Sequence, residues 1–170
     1  MGTTSEIIIR PAAPGDGAAM SAYVSRLVAE RLDTILLNHE ISPDEEEETI
    51  RRYQRADHHI FLLAFDGERV VGMLDVHGHE HPAKRHWGVF GMSVDKDYRG
   101  QSLGRRLLER AIAEAKSWPG FCRLELGVTP WNERAIELYR SLGFVLEGVK
   151  RKGINLRGEP EDDLMMALVW

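Results

Sequence analysis

Residues 94–108 read VDKDYRGQSLGRRLL, and this stretch restricts the fold more than any other in the chain. The run HWGVFGMSV at 86–94 leads into it as a strand. Leading out, Leu103, Leu107, Leu108, Ala111, Ile112 and Ala115 recur at helical spacing and form one apolar stripe, which a sheet would bury. Between strand and helix lies the turn Arg99-Gly100-Gln101-Ser102-Leu103-Gly104. A strand, a glycine-bearing turn and an amphipathic helix predict helices laid on a sheet.

The rest of the chain continues the alternation. EIIIRPA at 6–12 is a short β-rich run ended by proline, and Pro14-Gly15-Asp16 opens AAMSAYVSRLVAERL, whose apolar residues have helical spacing. ISPDEEEE at 41–48 reads as a second helix start; acidic residues suit the first turn, and Glu45 to Glu48 are expected on a solvated face. From Ile60 the period changes to that of strands. IFLLAF, Asp66-Gly67 and ERVVGMLDV form a hairpin around a tight turn. RLELGV at 123–128 is a strand, Asn132 to Leu142 a helix ended by Gly143, and FVLEGVKRKG and DDLMMALVW are two closing strands. The predicted fold class is α/β (α+β), a mixed central sheet of about seven strands flanked by about four helices. With 170 residues, no internal repeat and no low-complexity linker, one domain spanning 1–170 is expected.

Composition narrows the partners. An apolar fraction of 43% and a net charge of −5 belong to an ordinary globular chain and argue against nucleic acid or a membrane surface as partner. No apolar run approaches the roughly 18 residues of a membrane helix. MGTTSEIIIRP lacks the basic and apolar blocks of a secretory signal, and Met1-Gly2 with Ser5 matches a myristoylation start only superficially. Cys122 is the single cysteine, so no intrachain disulfide forms, a reducing cytoplasmic location is expected, and the thiol reads as structural.

The turn at 99–104 has two readings from its residues alone. It is a plain connection, or it is an anion cradle, because free N–H groups and the dipole of a helix start attract phosphate and glycine permits close approach. Arg99, Arg105 and Arg106 add charge that suits phosphate oxygens. The stretch is neither a Walker A motif nor G-x-G-x-x-G.

VDKDYRGQSLGRRLL followed by NERAIELYRSLGF resembles the GNAT superfamily of acetyl-CoA-dependent N-acetyltransferases. Arg99, Leu103 and Gly104 match the family's loop pattern, with Ser102 where its central glycine stands. Asn132, Ala135, Ile136, Tyr139, Leu142, Gly143 and Phe144 match the second motif. The resemblance spans about residues 6–170 and is weakest over 30–60. It implies acetyl-CoA as co-substrate and no metal. Gly100, Gln101, Ser102, Leu103 and Gly104, with Arg99 and Arg105, would bind the pyrophosphate. Backbone of Met92, Ser93 and Val94 would pair with the pantetheine arm, and Asn132 would bond it. Tyr139 would protonate the departing thiolate, and a backbone N–H near Met92 would hold the oxyanion. With an unstrained backbone, the Ser102 hydroxyl would cap the following helix. Read without the resemblance, Tyr139 is a helix aromatic packed on the sheet and Asn132 a helix cap.

The implied reaction is direct attack by a primary amine of a small molecule in a ternary complex. Its rivals are acetylation of a protein N-terminus or lysine, and a non-catalytic acyl-CoA sensor. The sensor reading arises because the family's basic glutamate position is Val89 here. His86 and Glu80 are the first candidates for the base, with His79, Glu125 or a water chain behind them. His77, His79 and His81 alternate in HGHEHP; an extended strand would put them on one face, as solvated loop residues, a substrate or proton-relay site, or metal ligands. His58 and His59 read as surface residues. The last segment, RKGINLRGEPEDDLMMALVW, resembles the family's acceptor-side strands, which often support a homodimer.

Overall fold

The computed structural model describes residues 6–34, 37 and 39–170. Met1 to Ser5, which carry the superficial myristoylation match, lie outside the described residues. In chain order the elements are β1 (Ile8–Pro11), α1 (Gly17–Ala29), α2 (Pro43–Arg55), β2 (His59–Asp66), β3 (Arg69–Gly78), β4 (Trp87–Val94), α3 (Leu103–Ser117), β5 (Arg123–Val128), α4 (Glu133–Ser141), β6 (Val145–Ile154) and β7 (Glu161–Val169). Seven strands and four helices follow the order expected from periodicity. Among the described residues no helix is long and apolar enough to cross a membrane.

The strands form one sheet in the order β1-β2-β3-β4-β5-β7-β6. Every pair is antiparallel except β4 with β5. That parallel pair is short: Trp87, Gly88 and Val89 register with Arg123, Leu124 and Glu125, and the strands then part. β4 stays paired with β3 as far as Val94, and β5 with β7 as far as Val128. Beyond Val89 the β5-facing edge of β4 therefore has no strand partner, and a wedge opens between the two.

Helices cover both faces. On one, Leu103, Leu107, Leu108, Ala111 and Ala115 of α3 and Ile136 and Tyr139 of α4 pack with Leu74, Val76, Phe90, Leu124 and Leu126. On the other, Met20, Tyr23, Val24 and Leu27 of α1 and Ile50 and Tyr53 of α2 pack with Phe61, Leu63 and Phe65. Interior β2 is buried on both sides, which is why it reads as a nearly continuous apolar run. The first two helices lie over β2 and β3, leaving the same face of β4, β5 and β7 without a helix.

The acidic run of α2 departs from expectation, because only part of it faces solvent. Ser42 and Glu45 form a capping box, with the Ser42 amide donating to the Glu45 carboxylate at 2.9 Å. Glu46 is buried and its carboxyl is pushed up to about 7 by that burial and by Glu45. Glu47 accepts from the amides of Gly15 at 3.0 Å and Gly17 at 3.3 Å, placing a carboxylate at the start of α1. Gly17 has to be glycine here, since a β-carbon would stand 2.6 Å from the Pro43 carbonyl oxygen.

Candidate active site

Two cavities of about 710 Å³ each meet at the wedge. Both are lined by Thr34, Met92, Ser93, Asn132 and Tyr139. One continues over the start of α3 and along α4; the other spreads over the sheet face that α1 and α2 leave open.

The α3 cavity contains most of the phosphate-binding loop expected from sequence. Arg99, Gly100, Ser102, Leu103, Gly104 and Arg105 line it, and Gln101 does not, because its side chain donates back to the Asp97 carbonyl at 2.8 Å. The turn runs through left-handed backbone at Gly100 (φ 78°) and Ser102 (φ 60°). The unstrained, capping Ser102 is thereby corrected: the turn demands positive φ where the family has glycine, and the serine hydroxyl makes no cap bond. The amides of Leu103, Gly104 and Arg105 open the 15-residue α3, and the first i to i−4 bond runs from Arg106 to Ser102.

The arginines divide by what already holds them. Arg99 Nε donates to the Val94 carbonyl at 2.8 Å, and its Nη2 meets the Glu30 carboxylate at 2.7 Å. Its guanidinium thus ties the strand end to the turn. Arg105 donates to the Ser141 hydroxyl at 2.6 Å, joining α3 to α4. Arg106 leaves the cavity altogether and donates to the Ile7 carbonyl at 2.9 Å. Arg134 carries no motif signal in the sequence. It lines the cavity, its Nη2 stands 3.8 Å from where a Gly100 β-carbon would be, and no ion pair among the described residues engages it.

Asn132 caps α4: its Oδ1 accepts from Ala135 N at 3.4 Å, leaving the amide NH2 for a ligand. Tyr139 is buried, with its ring packed on Phe90 and Phe144 at centroid distances of 5.8 and 5.9 Å. Burial pushes its phenol up to about 12, so it is protonated at neutral pH. Aromatic packing leaves the hydroxyl available: no hydrogen bond from a described residue engages it, and Tyr139 lines both cavities. Ser93 is fixed by Tyr23, whose hydroxyl lies 2.9 Å from the serine oxygen.

On the open sheet face, pairing aligns Asp75 and His77 of β3 with Val89 and Gly91 of β4, Glu125 and Gly127 of β5, and Met165 of β7, with Asp163 one step further along. All eight line the second cavity. Asp75 Oδ2 is engaged by His77 at 2.6 Å and by the Tyr53 hydroxyl at 3.1 Å. Glu125 Oε2 is held by Arg123 at 2.8 Å. Asp163 is 8% exposed, and its Oδ1 has no hydrogen-bond partner among the described residues. Burial pushes this carboxyl up, against the pull of Lys150.

The structure does not bring His86 or Glu80 to this site. Both are exposed in the β3–β4 connection, at the closed end of the wedge, and neither lines a cavity. His86 contributes its backbone carbonyl to Cys122 N at 2.8 Å, and Glu80 its carbonyl to Arg85 at 3.4 Å. β3 ends at Gly78, so His77, His79 and His81 share no strand face. His79 packs on Trp87 instead, with burial holding its imidazole below the usual range. Among the described residues no group of three or more His, Cys, Asp or Glu has the geometry to hold a metal ion.

The model of the acetyltransferase (GNAT) family matches residues 28–144. The chain belongs to that family. Members use acetyl-CoA as donor, and the free α3 amides, the unpartnered β4 edge and Arg134 suit its phosphates and amide-bearing arm. An acetyltransferase of the same family from Streptococcus pneumoniae superposes with a TM-score of 0.90 at 31% identity, covering 97% of this chain and 100% of that one. The L-amino acid N-acetyltransferase AaaT of Escherichia coli K12 is 32% identical over 64% of this chain and 66% of its own length. The bS18-alanine N-acetyltransferase of the same organism is 41% identical over 47% of this chain, and the chain spans only 53% of that relative.

Proposed function

We propose that this acetyltransferase moves an acetyl group from acetyl-CoA to a primary amine of a small molecule, in a ternary complex and with no covalent enzyme intermediate. The observation that carries the reading is the wedge beyond Val89, with the Tyr139 hydroxyl at the junction of two cavities. Acetyl-CoA supplies an activated acyl thioester when bound. The amides at the start of α3, with Arg134, hold its phosphates, and the free edge of β4 at Met92 to Val94 satisfies its amides. A β4 N–H pointing into the wedge faces the carbonyl oxygen as negative charge develops there. Tyr139 donates its proton to the leaving sulfur.

The acceptor enters over the open sheet face, where Asp75, Glu125 and Asp163 outnumber Lys150. An acidic floor favours a cationic acceptor, as a lysine-like amine (pKa about 10.4) is at neutral pH. The identity to the bS18-alanine enzyme favours a second acceptor, the amino terminus of a peptide. A homodimer is supported by edge strand β6, which exposes Val145, Leu146 and Val149.

The test has two stages. Calorimetry with acetyl-CoA should show saturable binding. Thiol release should then be seen with at least one member of a panel of L-amino acids, short diamines, spermidine and an N-terminal-alanine peptide. Binding without turnover on any amine would leave only the sensor reading, and turnover confined to the peptide would move the acceptor class.

A further inference from the structure

The acceptor cavity holds three carboxylates, and two have partners. Asp75 is engaged by Tyr53 and His77, and Glu125 by Arg123. Asp163 differs from both. It is 8% exposed, its Oδ1 is fully enclosed, and no hydrogen bond from a described residue reaches either of its oxygens. A buried carboxylate without a donor is destabilising, so folds retain one where a ligand completes it.

Its position is set by a missing side chain. Gly127, on neighbouring β5, has no β-carbon; one built there would stand 2.6 Å from Asp163 Oδ1 and 2.7 Å from Oδ2. The carboxylate therefore leans across β5 over Gly127, toward the wedge that separates β5 from β4. Gly91 stands on the facing edge of β4, two residues past the last registered pair, Val89 with Glu125. Gly127 thus clears the space between Asp163 and the wedge, and across it Asp75 Oδ1 lies 3.3 Å from where a Gly91 β-carbon would be.

We propose that Asp163 is the group that receives the acceptor's ammonium and takes its proton. The proposal rests on the acetyltransferase reading above. One proton passes from the ammonium to the Asp163 carboxylate, freeing the nitrogen lone pair. That pair forms the new C–N bond while the thioester C–S bond breaks and its electrons leave with sulfur. Sulfur takes the Tyr139 hydroxyl proton, and the phenol is restored by the second proton shed from nitrogen. Ammonium and thioester become amide, thiol and one proton, which leaves Asp163 for solvent. The other ionisable groups facing this carboxylate are Lys150 on β6 and Glu125 on β5; Asp75 and His77 on β3 and His39 line the same cavity. Burial, opposed by Lys150, raises the Asp163 carboxyl above its ordinary range, which makes it a stronger base than a solvated aspartate.

The experiment compares wild type with Asp163→Asn and Gly127→Ala, using whichever panel amines the wild type acetylates, over a pH range from about 7 to 9.5, where more amine is already neutral. Asp163→Asn should lower kcat/KM for the amine about a hundredfold near neutral pH. The deficit should shrink toward alkaline pH, because the variant can use only amine that has lost its proton in solution. Gly127→Ala, whose methyl group displaces the carboxylate, should show a loss in the same direction. Acetyl-CoA affinity by calorimetry should match wild type in both, which also shows that the variants fold. Retained activity in both variants overturns the assignment, as does a deficit of the same size at every pH or a parallel loss of acetyl-CoA affinity. A wild-type chain that binds acetyl-CoA yet acetylates no panel amine overturns the enzyme reading itself, and Asp163 with it.

Discussion

The donor and acceptor sides of the wedge are built in opposite ways. The donor side is a nearly continuous piece of chain, Met92 to Arg105, closed by the start of α4. Two of its three arginines already have protein partners, Arg99 with Val94 and Glu30 and Arg105 with Ser141, and Arg134 is the exception among the described residues. What it offers a ligand is mostly backbone, in the form of helix-start amides and a strand edge. The acceptor side is assembled from β3, β4, β5 and β7, strands far apart in sequence, and it leaves a buried carboxylate unpartnered. A site for an invariant donor tolerates a rigid, self-satisfied frame. A site for an acceptor leaves polar groups unsatisfied until that acceptor arrives.

The largest effect should come where the sides meet. Tyr139→Phe removes only a hydroxyl that has no partner among the described residues, so packing against Phe90 and Phe144 survives. As proton donor to sulfur, Tyr139 should be worth about a hundredfold in kcat, with acetyl-CoA affinity by calorimetry close to wild type. An unchanged kcat would transfer the acid role to water and weaken the claim that both cavities converge on this group.

The next test separates charge from frame on the donor side. Arg134 is free of ion pairs among the described residues, so Arg134→Ala should weaken acetyl-CoA binding about tenfold and leave stability alone, as for one exposed charge-assisted phosphate contact. Arg99→Ala should do the reverse in part. It removes the tie between Val94, Glu30 and the turn, lowering stability by about 1–2 kcal/mol in denaturant titration, with a smaller change in affinity. Equal affinity losses in the two variants would mean that Arg99 contacts phosphate despite its protein partners.

The contrast between the two sides also explains what was legible in the sequence. Element order could be read because hydrophobic period and turn residues are local signals, and the α3 stripe and the Asp66-Gly67 turn needed no tertiary knowledge. The loop at 99–104 and the run from Asn132 to Phe144 are local too, but their role was implied by the family resemblance, since the loop's residues alone read equally as a plain connection. Three features were not legible. That Arg99 and Arg106 point to Glu30 and Ile7 depends on contacts 69 and 99 residues away, which no motif encodes. His86 and Glu80 fell outside the site because the wedge opens at the other end of β4. Asp163 went unnoticed because β7 inserts between β5 and β6, which sequence order hides. Its signal was there in DDLMMALV, where strand alternation puts Asp163 on one face with Met165 and Ala167.

A carboxylate held for a ligand should weaken the unliganded fold. Asp163 is raised in the folded state, so its ionised form is disfavoured there relative to the unfolded chain, whose aspartates titrate at about 3.9. The contribution of Asp163 to stability therefore falls as pH rises from about 4 through the folded value, and Asp163→Asn lacks that part of the pH dependence, while the buried Glu46 keeps its own in both chains. The variant should be more stable by about 1 kcal/mol near neutral pH, the scale of one unsatisfied buried group, and the advantage should vanish below about pH 4. Thermal melts over that range test it. A variant less stable than wild type near neutral pH would make Asp163 part of the frame, erasing the contrast with the donor side.

The smallest effect tests whether the donor frame is itself free of strain. Ser102 holds φ 60° and ψ 12°, a left-handed conformation that costs a residue with a β-carbon about 1–2 kcal/mol, and its hydroxyl gains no cap bond in return. Glycine adopts that conformation freely but loses more chain entropy on folding, about 0.5–1 kcal/mol. The net expectation for Ser102→Gly is stabilisation of roughly 0.5 kcal/mol, measured as a raised denaturant midpoint with an unchanged slope. Acetyl-CoA affinity should not change, because the cradle is made of backbone amides whose positions both residues share. A Ser102→Gly chain that loses affinity would show that the serine hydroxyl itself contacts the donor, adding a second side chain beside Arg134 to what is otherwise a backbone cradle.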